Sequence, residues 1–196
     1  ICFRMPSQTG FINKSIIGYS VKIEKRTGIK ILLIMKTLIT EKLKLNYHDA
    51  IIEIIEHHGE ITFIVKKEEI EKICRFLKTD DDLRFIYLVD ICGSDRFVKE
   101  NRFEVTYNLW SEKLKFRIRL KVRVDENEIF VDSVTGVWKA ANWYERETYD
   151  MFGVVFKNHP DLRRIYMPEE FEYYPLRKDF PLMGVPDSLP LPRRNS

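Results

Sequence analysis

Residues 103–124 read FEVTYNLWSEKLKFRIRLKVRV and carry the clearest structural pattern in the chain. Apolar and polar residues alternate from Phe103 to Leu109, and again from Leu114 to Val124. Side chains of a β-strand point alternately to the two faces of a sheet, so this period of two indicates strands with one buried face. A short polar turn at Ser111–Lys113 joins the two runs, and we therefore predict a β-hairpin.

The segments before the hairpin predict helices and strands in alternation. Residues 47–58 place three isoleucines (Ile51, Ile52 and Ile55) on one face of a helix that Gly59 could end. Residues 61–65 predict a short strand, and residues 66–77 have the apolar spacing of a helix. Residues 85–91 are apolar and β-branched, which predicts a buried strand ended by Gly93-Ser94-Asp95.

The segments after the hairpin complete the predicted core. Residues 128–131 predict another short extended piece, and residues 138–152 show helical periodicity that Gly153 stops. Together these elements predict an α+β fold, with a mixed or antiparallel sheet and flanking helices, followed by an extended proline-rich C-terminal arm. The prolines from Pro160 to Pro192 exclude long helices there.

These patterns predict three parts of the chain. Residues 35–153 form the α+β core domain, and residues 154–196 form the C-terminal arm, which is better suited to docking than to folding alone. Residues 1–34 are rich in Lys and Ile, with Glu24 as their only acid. We interpret them as a leader outside the native fold, either upstream sequence before a start at Met35 or a targeting peptide.

Composition restricts the classes of function. The net charge is only +3, so no global charge favours nucleic acid. The three cysteines form no Cys-x-x-Cys pair, and Gly-rich phosphate loops are absent from the sequence, so we expect no metal, cluster or nucleotide on this chain. No apolar run approaches the ~20 residues of a membrane helix, so we expect no direct membrane span.

Five cations alternate along the second strand of the hairpin: Lys115, Arg117, Arg119, Lys121 and Arg123. Such a row could bind a nucleic-acid backbone, but we expect no aromatic residue on the same face for stacking on bases. A solvated or partner-facing strand is the preferred interpretation, and a basic nucleic-acid-binding domain remains an alternative.

The acids of the predicted helix suggest a second alternative, a hydrolase that uses Glu147, Asp150 and His159. Glu145 and Glu147 are two residues apart and cannot share one cleft, whereas Glu147 and Asp150 can. A structural role is preferred, in which these acids pair with arginines of the arm and hold it on the helix. On that hypothesis Glu147→Ala should weaken the arm or assembly.

The C-terminal third also resembles a known family. AANWYERETYDMFGVVFKNHPDLRRIYMP, followed by YPLRKDFPL, is similar to the signature of the C subunit of NADH-quinone oxidoreductase, which is respiratory complex I. In mitochondria the counterpart is the iron–sulfur protein subunit 3. The matching residues are Trp143, Glu145, Arg146, Glu147, Asp150, Phe152, Gly153, His159, Pro160, Asp161, Leu162, Arg163 and Arg164, and then Pro175, Leu176, Arg177, Lys178 and Asp179.

The resemblance implies a non-catalytic subunit of the peripheral arm of a proton-pumping NADH:quinone oxidoreductase. Its expected partners are the D subunit, which carries the quinone site, and the I subunit, with the signature residues serving as docking residues. FMN, iron–sulfur clusters, NADH and quinone are expected on other subunits. The implied location is the cytoplasmic face of the bacterial inner membrane, or the matrix face in mitochondria.

Overall fold

A computed structural model describes residues 28–181, with side chains from residue 32 onward. Its helices are α1 (Gly28–Tyr47), α2 (Ile70–Thr79) and α3 (Ala141–Phe152). Its strands are β1 (Ile51–His57), β2 (Glu60–Val65), β3 (Tyr87–Asp95), β4 (Phe103–Ser111), β5 (Phe116–Val124), β6 (Phe130–Asp132) and β7 (Val155–Lys157). The predicted hairpin is confirmed as β4 and β5.

The strands form a five-stranded sheet in the order β1-β2-β5-β4-β3 and a separate β6-β7 pair. Within the sheet β2 and β5 run parallel, whereas the other neighbours run antiparallel. The inward residues of β2, β4 and β5, such as Phe63, Tyr107 and Leu120, are fully buried with those of the helices. The predicted α+β class with a mixed sheet is therefore confirmed.

The predicted helix over residues 47–58 is wrong, because this segment contains strand β1. β1 pairs antiparallel with β2, and His57 lies opposite Glu60. The two residues between them, His58 and Gly59, have φ values of 47° and 85°. Two successive positive φ values are typical of the tight turn that joins hairpin strands. The isoleucines that resembled a helical face belong to a strand, where β-branched residues are favoured.

The predicted buried strand at residues 85–91 also needs correction. β3 lies at the edge of the sheet, and it continues through Gly93-Ser94-Asp95. Tyr87 and Val89 are exposed at 53% and 36%. Apolar composition alone does not distinguish a central strand from an edge strand, because the neighbour that covers it is chosen by tertiary packing.

Two predicted domain boundaries can be located on the structure, but the division itself stays a prediction. The boundary between residues 34 and 35 falls inside α1, and residues 1–27 of the leader lie outside the described residues. In the predicted arm, Val154 and Phe156 are buried in the core, and β7 pairs in parallel with β6. Between residues 158 and 181 the chain forms no helix, and residues 182–196 of the arm also lie outside the described range.

Candidate functional site

The three carboxylates of α3 have three different environments. Glu145 and Asp150 are fully buried, whereas Glu147 is exposed. At about 100° per residue, Glu145 and Glu147 lie about 160° apart around α3, whereas Glu147 and Asp150 lie about 60° apart. The prediction that Glu145 and Glu147 share no cleft is consistent with this placement, whereas Glu147 and Asp150 are neighbours on the helix that differ in burial.

Asp150 holds the beginning of the arm against α3. Its carboxylate accepts hydrogen bonds from the Arg164 guanidinium at 2.8 Å and from the backbone N–H groups of Ile165, Tyr166 and Met167 at 3.0, 2.6 and 3.1 Å. Burial opposes ionisation, but these four donors outweigh it and lower the pKa of Asp150. The segment 164–167 is thereby wrapped around a single charged group.

Arg146, one turn before Asp150 in α3, also binds this part of the arm. Its Nε donates to the carbonyl oxygen of Arg163 at 3.0 Å, and its Nη2 donates to that of Arg164 at 3.2 Å. The guanidinium also lies 4.9 Å from the ring centre of Trp143. Arg146 therefore binds arm backbone, and the sequence-based pairing of α3 acids with arm arginines applies to Asp150 and Arg164.

A second anchor lies where α3 ends. Arg177 Nε donates to the carbonyl oxygen of Phe152 at 2.7 Å, and its guanidinium lies 4.3 Å from the ring centre of Tyr174. Gly153 ends the helix with a left-handed φ of 78° and leaves room for both side chains. The second signature motif is therefore packed on the end of the first.

A third anchor uses two residues that sequence reasoning missed, Asp95 and Arg102. Their side chains form a two-bond ion pair at 3.0 and 2.8 Å, and Arg102 also lies 2.8 Å from Asp179 of the arm. Asp95 accepts a further hydrogen bond from the N–H of Lys178 at 2.9 Å. Burial opposes ionisation, but these donors lower the pKa of Asp95 to about 2. No sequence pattern signals a pair that meets the arm 83 residues further along.

His159 is held beside Glu145 in a neutral form. The N–H of Asp161 donates to His159 Nδ1 at 3.0 Å, so the proton of the ring is on Nε2, which donates to the carbonyl oxygen of Asn142 at 3.2 Å. Burial lowers the pKa of His159. The path of the chain at His159-Pro160-Asp161 is thus stabilised by the imidazole ring itself.

This geometry contradicts the hydrolase alternative. His159 lies 4.0 Å from Glu145, Asp150 is occupied by four donors, and Glu147 is exposed on α3. Within the described residues, no hydrogen bond or ion pair joins Glu147, Asp150 and His159 to one another. Within residues 28–181, no group of three or more His, Cys, Asp or Glu side chains is arranged to hold a metal ion.

The nucleic-acid alternative requires the cations of β5 to be free, but the structure pairs several of them with carboxylates. Lys121 and Arg123 pair with Glu104 on β4 at 2.6 and 3.1 Å, and Arg119 pairs with Glu60 on β2 at 2.7 Å. Arg117 stacks on Trp110, so the expectation of no aromatic on this face is wrong. The aromatic residue comes from the neighbouring strand, which the pattern of β5 alone cannot reveal. Three of the five cations are therefore paired with carboxylates of neighbouring strands.

The signature residues divide into two sets. Glu145, Arg146, Asp150, Phe152, Gly153, His159, Leu162, Arg164, Pro175 and Arg177 are buried or half-buried, whereas Trp143, Glu147, Pro160, Asp161, Arg163, Leu176, Lys178 and Asp179 are exposed. Trp143 is exposed at 62%, and nearby Tyr166, which sequence reasoning did not select, at 61%. The first set includes the side chains of the first two anchors, and the second set is exposed, although its members Lys178 and Asp179 also take part in the third anchor.

Comparison with known proteins gives consistent results. The C subunit of NADH-quinone oxidoreductase from Geotalea uraniireducens is 48% identical over 155 residues, which cover 79% of this chain and 93% of that protein. The protein named C subunit 2 of the same enzyme from Rhizobium meliloti is 53% identical over 132 residues, covering 67% and 72%. The resemblance found in the signature motifs is therefore confirmed along most of the chain.

Solved structures share the fold. A trypsin-resistant fragment of Nqo5 superposes with a TM-score of 0.55 at 29% identity, covering 65% of this chain and 98% of the fragment. A chain of an archaeal membrane-bound sulfane sulfur reductase superposes with a TM-score of 0.63 at 24% identity, covering 76% and 86%, and this shows the fold alone. None of the helices described between residues 28 and 181 has the length and apolar character needed to cross a membrane.

The match to a protein family covers most of the sheet, α3 and most of the predicted arm. Residues 63–186 match the family described as "Respiratory-chain NADH dehydrogenase, 30 Kd subunit". This span contains both signature motifs and all three anchors of the arm. The chain therefore belongs to the family of the 30 kDa subunit of respiratory-chain NADH dehydrogenase.

Proposed function

We propose that this chain is a non-catalytic peripheral-arm subunit of a proton-pumping NADH:quinone oxidoreductase. It scaffolds the D subunit, which carries the quinone site, while electrons pass from NADH to quinone, and it adjoins the I subunit. FMN and the iron–sulfur clusters belong to other subunits. The complex is attached to the membrane with this protein on the cytoplasmic face, or on the matrix face in a mitochondrion.

The observation that carries this proposal is the division of the signature motif into an internal and an external set. In the internal set, Arg146, Asp150, Arg164 and Arg177 use their charged groups to hold the arm on α3, so these four side chains are not free to act on a substrate. The external set includes Trp143, Glu147 and Arg163, which together with Tyr166 we call the α3–arm surface. Arg146 contacts both the Trp143 ring and the Arg163 carbonyl, which makes the two exposed residues neighbours.

The α3–arm surface has the composition of a protein–protein contact. Trp, Tyr and Arg are the residue types enriched among those that dominate binding energy. Trp143 and Tyr166 expose large rings beside the charges of Glu147 and Arg163. An aromatic pair with opposite charges around it supports docking onto a folded protein partner, which we take to be the quinone-site D subunit.

Affinity purification of the tagged chain from membranes, followed by mass spectrometry, tests the assembly. We expect co-purification of homologues of the D and I subunits. Recovery of the chain at normal abundance without a homologue of the D subunit would contradict the proposal.

Trp143→Ala tests the docking surface. A truncated interface tryptophan commonly costs about 2 kcal/mol or more, which corresponds to a loss of roughly 30-fold in affinity for the D subunit. Ile52→Ala is the matched control, because Ile52 is equally exposed at 61% but lies on β1, at the opposite edge of the sheet from α3 and β3. Equal recovery of the D subunit with both variants would exclude Trp143 from the interface.

A further inference from the structure

The Glu145 carboxylate is buried in the core without a cation. Its side chain has no exposed surface, and it accepts hydrogen bonds from Ser133 Oγ at 2.6 Å and from the N–H of Val134 at 2.7 Å. Among the side chains described, no Lys or Arg forms an ion pair with it, and His159 is neutral because its Nδ1 accepts a backbone hydrogen bond. Burying a carboxylate without a counter-charge strongly favours its protonated form.

The surrounding elements place no cation against the carboxylate, although Lys72 lines the nearby cleft together with Glu68 and Glu71. Cys74 of α2 and Tyr107 of β4 interact electrostatically with Glu145, and Asp132 of β6 interacts with Tyr107. Burial raises the pKa of Tyr107, with the negative charge of Glu145 as the next cause, so both groups favour the neutral state. Within the described chain the Tyr107 hydroxyl is buried without a hydrogen-bond partner. Burial raises the pKa of Glu145 to about 7, against the two hydrogen bonds that it accepts.

A chain of hydroxyl groups connects Glu145 to a surface cleft. Ser133 Oγ lies 2.6 Å from Glu145 Oε2 and 2.7 Å from Thr135 Oγ1, and either hydroxyl can be the donor in the second contact. Ser133 and Thr135 both line a cleft of about 270 Å³, together with Asp132, Gly136 and Asn158. The carboxylate is therefore two hydroxyl groups away from solvent.

We propose that Glu145 is a buried proton-binding site that exchanges protons with this cleft through the Ser133 and Thr135 hydroxyl groups. In the ionised state Thr135 donates to Ser133, and Ser133 donates to the carboxylate. When a hydronium ion in the cleft gives its proton to Thr135 Oγ1, the Thr135 proton passes to Ser133 and the Ser133 proton passes to Glu145 Oε2. The products are one water molecule and a neutral carboxyl group, and each hydroxyl keeps one proton.

The direction of each hydrogen bond in the chain is reversed by this transfer. The protonated carboxyl donates to Ser133, Ser133 donates to Thr135, and Thr135 donates to water in the cleft. Val134 N–H still donates to the other carboxyl oxygen, but to a neutral acceptor, so this bond weakens. The loop that begins at Ser133 therefore senses pH near neutrality. The proposal does not depend on the docking of any partner.

Nuclear magnetic resonance of the full 196-residue chain tests the proposal without any mutation. We expect one glutamate side-chain carboxyl carbon to titrate with a midpoint near pH 7, and the Val134 amide to shift with the same midpoint. The Tyr166 amide is an internal control, because its acceptor Asp150 has a lowered pKa and stays ionised in this range. The absence of a glutamate midpoint between about pH 6 and 8 would overturn the proposal.

Two variants identify the group and the route. In Glu145→Gln, whose amide imitates the neutral carboxyl, the midpoint near 7 should disappear, whereas Glu147→Gln should retain it. Thr135→Val removes one hydroxyl without changing side-chain shape, and it should slow proton exchange enough to broaden or split the Val134 resonance at its midpoint. A midpoint that survives Glu145→Gln would reject the site, and an unchanged resonance in Thr135→Val would reject the hydroxyl route. If Glu145→Gln does not fold, Ser133→Ala should still move the wild-type midpoint upward, and an unmoved midpoint would reject the site.

Discussion

Asp150 and Arg164 form an ion pair at 2.8 Å between side chains that are only 0% and 8% exposed. Asp150 lies in the last turns of α3 and Arg164 lies in the arm beyond β7, so the pair fastens the arm back onto the helix. The carboxylate also organises three consecutive backbone N–H groups. A single charged side chain thus determines the path by which the arm leaves the core.

Asp150→Asn should strongly destabilise this junction. The amide group cannot accept hydrogen bonds at its nitrogen, so Arg164 is left buried without its counter-charge. Breaking a buried pair in this way costs about 3–5 kcal/mol, and urea denaturation should show a loss of this order in the free energy of unfolding. Glu147→Gln is the control, since exposed substitutions usually stay within about 0.5 kcal/mol. A similar loss in both variants would contradict this account. Because Glu147 is exposed, we also do not expect Glu147→Ala to weaken the arm, in contrast to the prediction made from the sequence.

The Asp95–Arg102 pair should make the chain sensitive to acid. The pKa of Asp95 falls from 3.8 to about 2 on folding, so its stabilising contribution is fully present above pH 3.8 and is lost as pH falls towards 2. The lowered pKa of Asp150 acts in the same direction. The contribution of Asp95 is on the order of 2 kcal/mol. Urea midpoints measured against pH should show a shallower acid decline in Asp95→Asn, whereas exposed Asp161→Asn should follow the wild type.

Gly93→Ala should disturb the packing of α3 on β3. A Cβ at this position would lie 2.6 Å from Phe152 and 2.8 Å from Thr148, which is closer than real contacts permit. Overpacking of this kind typically costs about 1–3 kcal/mol in the free energy of unfolding. Gly136→Ala is the matched control, because its nearest neighbour is the flexible end of Arg75 at 3.6 Å. Equal thermal midpoints for the two variants would show that α3 does not pack tightly at Gly93.

Gly153→Ala should destabilise the chain in two ways, through backbone strain and through a clash with the arm. Gly59→Ala is the comparison, because it introduces the strain without the clash. Both glycines have positive φ values, of 78° and 85°. A Cβ at Gly153 would lie 2.5 Å from Arg177 and 2.7 Å from Tyr174, whereas a Cβ at Gly59 would meet only Leu32 at 3.6 Å. Measured by chemical denaturation, Gly59→Ala should lower the free energy of unfolding by about 1 kcal/mol through strain. Gly153→Ala should lower it by at least roughly 1 kcal/mol more. Equal losses would mean that the arm is not anchored at Gly153.

Local patterns predicted those elements whose cause is local. The alternation in β4 and β5 identifies the hairpin, because every second residue must face the core. Gly153 identifies the end of α3, because few other residues adopt a left-handed conformation without strain. Over residues 47–58 the same reasoning failed, since clustered isoleucines suit either a helix or a strand. Pairing with β2 and the turn at His58 and Gly59 decided between them.

The amino-acid sequence by itself determined the α+β class, the hairpin, the end of α3 and the family, because periodicity, glycine and an ordered motif are properties of neighbouring residues. Tertiary structure alone decided the roles of the charges. It buried Glu145 without a cation, paired Asp150 with Arg164 and left Glu147 exposed, although all three lie within six residues of one helix. The physical reason is that the free energy of a charge depends on what surrounds it, and here the surroundings come from the arm and from loops far away along the chain.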